Sequence, residues 1–369
     1  MHLSFWERDT WLSNVDYTIV GSGIVGLNTA LRLRQRFPQS KILVLEKGAL
    51  PQGASTKNAG FACFGSLSEI IDDLETQSEQ DVIDLIQKRW NGLKLLRKTL
   101  GDEAIDYKSF GGYELFLNDN NTFDYCLEKM SYINDLLQPI FNKDVFSVKN
   151  NTFNFGQINN QLLFNPFEAQ IDTGKMMHAL IKKATNANIL IINNQTVLEY
   201  NSSVDDVEVR LADYSFITKK LLFATNGFAA KLTNNLVHPA RAQVLITKPI
   251  EGLEINGTFH LDKGYHYFRN IGNRILLGGG RNLDFEGENT SEFGETQLIQ
   301  NRLDKLLKEV ILPNTDYEID QRWSGIMGLG KSKKPIVTQL SEFVYCGVRL
   351  GGMGIAIGSS VGVDLADLV

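Results

Sequence analysis

The stretch Val15 to Glu46 sets the tightest limit on how this chain can fold. Tyr17 to Val20 is a β-rich run that passes without a spacer into Gly21, Gly23 and Gly26, after which Ile24, Leu27, Leu31 and Leu33 keep an apolar face at roughly helical spacing. A second apolar run, Ile42 to Leu45, ends in Glu46. Strand, glycine turn, helix, strand and terminal acid in this order are the layout of a βαβ dinucleotide site. Gly21 serves the tight turn, Gly23 lets backbone N–H groups approach a pyrophosphate, and Gly26 lets the helix pack closely on the strand. The diphosphate is expected at the helix N-terminus, where unpaired N–H groups and the helix dipole favour an anion. Glu46, about 20 residues after Gly26, is placed to accept hydrogen bonds from ribose hydroxyls and would repel a 2′-phosphate.

A chain of 369 residues has room for two closely joined domains, and 43% hydrophobic content is enough for a sizeable core. The net charge of −6 offers no basic field, and the Lys/Arg cluster at Lys331-Ser332-Lys333-Lys334 is too small to supply one, so nucleic acid is not expected as a partner. No apolar run reaches the ~18 residues of a transmembrane helix. The N-terminus carries acids among its apolar residues and lacks a signal peptide's cationic start, which predicts a cytoplasmic protein. Cys63, Cys126 and Cys346 are widely spaced, read as reduced thiols, and suggest neither a disulfide framework nor a zinc site.

Along the chain, residues 1 to 14 are expected to dock on the body through Phe5, Trp6 and Trp11. Pro51 to Gly65 is too small and glycine-rich for a regular element yet nearly uncharged, which predicts close approach to a ligand. Ser68 to Leu100 reads as two amphipathic helices broken near Gln77 to Gln80, Tyr113 to Leu117 as a strand, and Thr122 to Phe141 as a helix. Asn150 to Asn165 reads as polar and turn-like. Asp172 and Thr173 cap a helix to about Thr185, and short strands follow at 189–192, 196–200 and 207–211. Leu221 to Ala224, ending in Thr225-Asn226-Gly227, fits a buried parallel strand beside the first βαβ unit. From Arg241 to Gly280 the pattern is antiparallel β, followed by a helix over 292–310 and a strand over 317–323. The end repeats the opening theme, with a strand, then the glycine-rich turn Gly351-Gly352-Met353-Gly354-Ile355, then a helix.

With both glycine-rich ends in view, the chain resembles the flavin-dependent D-amino-acid oxidase superfamily, the group that includes glycine oxidase, sarcosine oxidase and γ-glutamylputrescine oxidase. The resemblance spans essentially the whole length. It rests on Gly21 to Gly26 with Glu46, Gly53-Ala-Ser-Thr-Lys-Asn-Ala-Gly60, Ala224-Thr-Asn-Gly227, Arg241-Ala-Gln243 and Gly351 to Ala356. It implies an extended FAD, expected to be non-covalent. By the same resemblance Gly21, Ser22, Gly23, Ile24 and Gly26 surround the pyrophosphate, and Glu46 and Lys47 lie at the adenosine ribose. Ser55, Thr56, Asn58 and Ala59 run toward the isoalloxazine, Val197 meets adenine, and Thr225 and Gly227 belong to the cofactor-binding set. Gly352, Met353, Gly354 and Ile355 sit at the flavin pyrimidine edge, where a helix N-terminus stabilises negative charge on reduction.

Two departures from the family pattern bear on the substrate. Glycine oxidase-like members follow their W-x-G strand end with an arginine that grips the substrate carboxylate, whereas Trp323-Ser-Gly-Ile-Met327 puts methionine at the equivalent place. The lysine that some sarcosine oxidase-like members place near flavin N5 falls in the apolar run Ile275 to Leu277, which leaves oxygen or another electron acceptor open. Arg349, beside the C-terminal turn, and Arg241 are the candidates to replace the carboxylate clamp. His266 and Tyr267 are the candidates to touch substrate, and strand alternation sends them to opposite faces. Lys331, Lys333 and Lys334 are candidates for the entrance. His238 and His178 read as structural.

The expected architecture is α/β: a discontinuous Rossmann-like FAD-binding domain (1–80, 150–230 and 324–369) with a substrate domain of mixed, largely antiparallel sheet plus helices (81–149 and 231–323). The expected activity is FAD-dependent oxidation of the C–N bond of a small-molecule amine or amino acid to an imine. The alternatives are a flavin-bearing component of tRNA modification, an NAD-dependent dehydrogenase, and a catalytically idle flavoprotein.

Overall fold

The opening unit forms as β1 (Val15–Val20), α1 (Ile24–Arg36) and β2 (Ile42–Leu45). The structure, a computed structural model, describes residues 3–117, 121–232 and 235–369. Next come α2 (Leu67–Leu74) and α3 (Glu79–Leu100), split where Ser78 caps α3 by accepting the Asp81 N–H. They are followed by β3 (Gly112–Leu115), α4 (Thr122–Phe141), β4 (Ser147–Asn150), β5 (Gln161–Asn165) and α5 (Thr173–Asn186), capped by Asp172. Strands β6 (Leu190–Ile192), β7 (Glu199–Ser202), β8 (Val207–Arg210) and β9 (Ser215–Phe223) lead to β10 (His238–Thr247), β11 (Thr258–Leu261), β12 (His266–Ile271) and β13 (Arg274–Gly279). The chain finishes with α6 (Gln297–Leu306), β14 (Ile319–Leu329), β15 (Ile336–Ser341), β16 (Val344–Val348) and α7 (Gly354–Asp367).

The strands form two large sheets, and this is the expected α/β fold class. The first has the order β15-β16-β9-β1-β2-β6, with β8 and β7 attached beside β9. The run from β16 to β6 is parallel. Its strands are buried on both faces, as parallel strands covered by helices must be: Ile19, Leu43, Val44 and Leu222 are fully enclosed. The second sheet has the order β14-β10-β13-β12-β11-β3-β5-β4 and is antiparallel except between β11 and β3. A stack of aromatic rings, with Phe259 and Phe268 4.5 Å apart and nearly coplanar, fills its outer core.

Several expectations need correction. The segment 150–165 is no long turn, because β4 and β5 pair there as an edge hairpin of the second sheet; its alternating Leu162 and Leu163 are buried while the polar residues between the strands hide the pattern. That hairpin takes 161–165 out of the 150–230 nucleotide segment, and β14 runs unbroken through the expected boundary at 324. The N-terminal arm leaves Phe5 and Trp6 about 70% exposed, and Leu12 is its buried anchor; residues 1 and 2 of that arm lie outside the described residues. No helix among the described residues is long and apolar enough to cross a membrane.

Helix α7 lies directly on α1. A Cβ at Gly358 would stand 2.6 Å from the Ile24 side chain, and one at Gly362 would stand 2.7 Å from both Asn28 and the Val25 carbonyl. The Thr29 hydroxyl donates to the Gly362 carbonyl at 3.0 Å, while Arg32 and Asp367 close the exposed end with an ion pair. This contact brings the first and last helices to the same side of β1. Gly362→Val should therefore cost about 1–3 kcal/mol through overpacking and lower the bound flavin per chain, whereas Arg32→Ala should change stability by no more than about 1 kcal/mol; denaturant midpoints and flavin absorbance of the two variants check this pair.

Candidate active site

A cavity of about 1110 Å³ runs from the C-terminal ends of β1 and β2 to the inner face of the second sheet. Ligands of open α/β sheets bind at such strand ends, and this volume exceeds the roughly 300–1,000 Å³ typical of a single small-molecule pocket. There is room for a cofactor and a substrate together.

The end nearest β1 is built from backbone. Gly21 has φ +105°, and a Cβ on Gly26 would fall 1.9 Å from the Gly21 carbonyl oxygen, so the turn closes onto α1 only with glycine there. Glu46 locks this turn: its carboxylate accepts the Ser22 N–H at 3.0 Å, the Ser22 hydroxyl at 2.7 Å and the Gly48 N–H at 3.0 Å. Ser55 Oγ accepts the Ile24 N–H at 3.0 Å, which ties the 53–60 segment to the start of α1. Neither α1 nor α7 has a side chain capping its N-terminus, and both termini line the cavity through Gly23, Ile24, Gly354 and Ile355. Thr225 also lines it, with a buried hydroxyl that lacks a hydrogen-bond partner. Two uncapped helix N-termini and an orphaned hydroxyl are what an anionic, polar cofactor would satisfy.

Of the cofactor residues expected from sequence, Gly21, Gly23, Ile24, Glu46, Lys47, Ser55, Asn58, Ala59, Val197, Thr225 and Gly352 through Ile355 line this cavity. Ser22, Gly26, Thr56 and Gly227 do not. Ser22 is turned onto Glu46, Gly26 serves close packing, and the Thr56 hydroxyl donates to the Pro51 carbonyl at 2.6 Å. Gly227 packs on the Met327 carbonyl of β14.

At the other end an aromatic wall stands on the second sheet. Phe61 meets the rings of His260 and Tyr267 edge-on at 5.3 and 5.6 Å, and His260 and Tyr267 are cross-strand neighbours in β11 and β12. Behind His260 lies Glu168, whose Oε2 is 2.9 Å from His260 Nε2 and accepts the Thr258 hydroxyl at 3.0 Å. Burial alone would push the imidazole down, but the charge and hydrogen bond of Glu168, with Glu69 and Glu114 beyond it, hold it up at about 9. An imidazolium backed by a buried carboxylate therefore faces the cavity at neutral pH. Burial pushes the Tyr267 phenol up to about 12, keeping its proton in place. Cys63 stands in the same cluster, within 4.8 Å of its neighbours' ligand atoms. Burial first, then Glu168 and Glu69, push its thiol far up, which makes it a poor nucleophile or metal ligand.

The expected substrate residues fare differently. Tyr267 lines the cavity, but His266 does not: as its neighbour in β12 it points to the other face, buried at 1% exposure beside Asp262. Arg349 is not a cavity residue either. Its guanidinium donates to the Lys334 and Leu236 carbonyls, and its backbone N–H to Asn226 Oδ1, so it braces the C-terminal turn. Arg241 is taken up by Glu288 at 2.8 and 2.9 Å. Glu288 also accepts from Gln243, and Gly294 donates its N–H to Ser324, so the 281–296 segment is strapped across the second sheet. Lys333 does line the cavity but is paired with Asp73, and Lys334 is paired with Asp81. Met327 lines the cavity at the place where the family resemblance implied an arginine.

Sequence reading missed His260, Glu168 and Arg281. A histidine inside the four-residue apolar strand Thr258–Leu261 was a visible signal, as was an arginine directly after Gly278-Gly279-Gly280. The partnership of His260 with Glu168, 92 residues away, had none.

A family model described as FAD dependent oxidoreductase matches residues 16–368. This chain belongs to that family. The FAD-dependent oxidoreductase is 22% identical over 382 residues to the probable oxidoreductase OrdL of Haemophilus influenzae, covering 98% of this chain and 84% of that one. Its fold is shared with glycine oxidase from Geobacillus kaustophilus, with a TM-score of 0.75 at 18% identity over 96% of this chain and 94% of the other. It is shared also with L-proline dehydrogenase from P. horikoshii, with a TM-score of 0.70 at 18% identity over 96% and 93%. Membership in the family sets aside the NAD-dependent alternative.

The His260–Glu168 pair should be visible in the stability of the protein. A histidine whose folded pKa, about 9, lies above its ordinary 6.5 stabilises the fold fully below that ordinary value and loses the contribution as pH rises through about 9. Between pH 6.5 and 9.5 the native enzyme should lose on the order of 3 kcal/mol that His260→Gln does not lose; thermal unfolding of both proteins across that window measures it.

Proposed function

We propose that this oxidoreductase removes hydride from the carbon of a C–N bond in a primary or secondary amine or amino acid, giving an imine that water hydrolyses. The observation that carries the reading is the junction in one cavity of two uncapped helix N-termini with an enclosed aromatic wall that holds no activated nucleophile. Bound FAD supplies the hydride acceptor, and electrons pass on to oxygen or another acceptor. The protein's share of the work is to hold, orient and keep dry. Gly21, Gly23, Ile24 and the backbone at 352–355 would hold the cofactor, with Glu46 and Lys47 toward its ribose. Phe61 and Tyr267 would press on the apolar part of the substrate. A neutral amine is required for hydride loss, and the His260 imidazolium would disfavour a second positive charge beside it, easing the ammonium proton off to solvent. The names of relatives such as glycine oxidase and L-proline dehydrogenase support a C–N substrate.

Under anaerobic conditions a panel of amines and amino acids should bleach the flavin of the purified enzyme. If dithionite reduces the flavin and no member of a broad panel does, the reading is wrong and an idle flavoprotein takes its place. Tyr267→Phe should slow bleaching about 3- to 10-fold, the loss of one hydrogen bond of roughly 0.5–1.5 kcal/mol, with the flavin spectrum unchanged.

A further inference from the structure

We propose that Arg281 is the anion-receiving group of the cavity mouth, so that the substrate is an amine carrying a carboxylate on an apolar body. The amine rests on the reading above; the carboxylate rests on the geometry that follows. Arg281 is the one arginine among the described residues lining the cavity, and no hydrogen bond or ion pair engages its guanidinium among the described residues. The neighbouring cations differ in this respect: Lys263 is paired with Asp72 at 2.6 Å and Lys333 with Asp73 at 2.6 Å.

The guanidinium is nevertheless held in place. Gly279 has φ +111°, and a Cβ there would lie 1.9 Å from the Tyr265 carbonyl oxygen; the Gly280 N–H donates to that same oxygen at 2.8 Å. The chain thus turns tightly out of β13 against Tyr265. The Tyr265 ring meets Phe285 edge-on at 5.8 Å, and Phe285 carries the Arg281 guanidinium 4.6 Å from its ring centre. A ring face fixes a guanidinium while leaving its in-plane N–H donors free, and those donors form the fork that matches a carboxylate. Partial burial has already removed some of its water and lowered its pKa, an expense that an arriving anion offsets. Across the mouth, Lys57 lies 5.2 Å over Phe293, which adds positive potential and a second ring for an apolar body. Glu292 and Glu69 also line the cavity, and they oppose a doubly charged phosphate more strongly than a singly charged carboxylate.

The test uses the flavin-loaded enzyme, its Arg281→Met and Arg281→Lys variants, and two measurements. Flavin difference spectra are titrated with acetate, propionate and benzoate, which cannot be oxidised. Flavin reduction is then followed with amino acids paired with their amides and their decarboxylated amines. The expected results are carboxylate binding that tightens from acetate to benzoate, weakens at least 10-fold in Arg281→Met and is partly restored in Arg281→Lys. The preference for acid over amide should collapse by a similar factor through KM, with kcat little changed. Carboxylate affinity equal in the native enzyme and Arg281→Met, or equal use of acid and amide by the native enzyme, overturns the proposal; the second comparison decides it if Arg281→Met fails to hold flavin. Arg281-dependent carboxylate binding without reduction by any amine would sustain this assignment and overturn only the C–N reading.

Discussion

Everything in the cavity depends on how closely α7 lies against α1. Helices normally sit 8–10 Å apart, set by the side chains between them; with no side chain at Gly358 or Gly362, the last helix of the chain settles onto the first. Their N-termini then converge, and two sets of unpaired N–H groups separated by more than 300 residues of sequence face one volume. A single helix N-terminus attracts one anionic group. Two of them at different places along a cavity suit a long ligand with negative charge at more than one point, such as a pyrophosphate at one end and a reducible ring at the other.

The first half of this arrangement was legible in the sequence because its signals are local. Val15 to Glu46 carries strand, turn, helix and acid within one βαβ unit, and each residue's task depends on neighbours a few positions away. The helices of 67–100 and the cap at Asp172 were readable for the same reason. The edge hairpin at 147–165 was not. Edge strands tolerate polar residues, and the run of asparagines there masks an alternation that only pairing with β3 reveals.

The substrate side was harder because its logic is long-range. Sequence proximity to the C-terminal turn made Arg349 attractive, yet its guanidinium is consumed by backbone carbonyls that approach from 236 and 334. Arg241 sits in a motif of the family but is neutralised by Glu288, which no spacing rule connects to it. His260 acquires its charge from a carboxylate on a different strand connection. In each case a cation's fate is decided by which acid or carbonyl folds against it, and local patterns carry no information about that. Tyr267 succeeded where His266 failed because strand alternation is a local rule, though it could not say which face overlooks the cavity.

The strap of residues 281–296 is fastened at its middle, by Glu288 to Arg241 and Gln243, and again at Gly294 to Ser324. Such a buried ion pair contributes little net stability, but removing one partner is costly, so the fastening is all or none. Between and around these fixed points lie the exposed rings of Phe285 and Phe293, free to differ in size and polarity. The molecule thus separates what must stay constant from what can vary within a single loop. A lineage carrying this chain could exchange the side chains that meet incoming molecules, one position at a time, while the peg, the sheet beneath it and the flavin's housing stayed as they are.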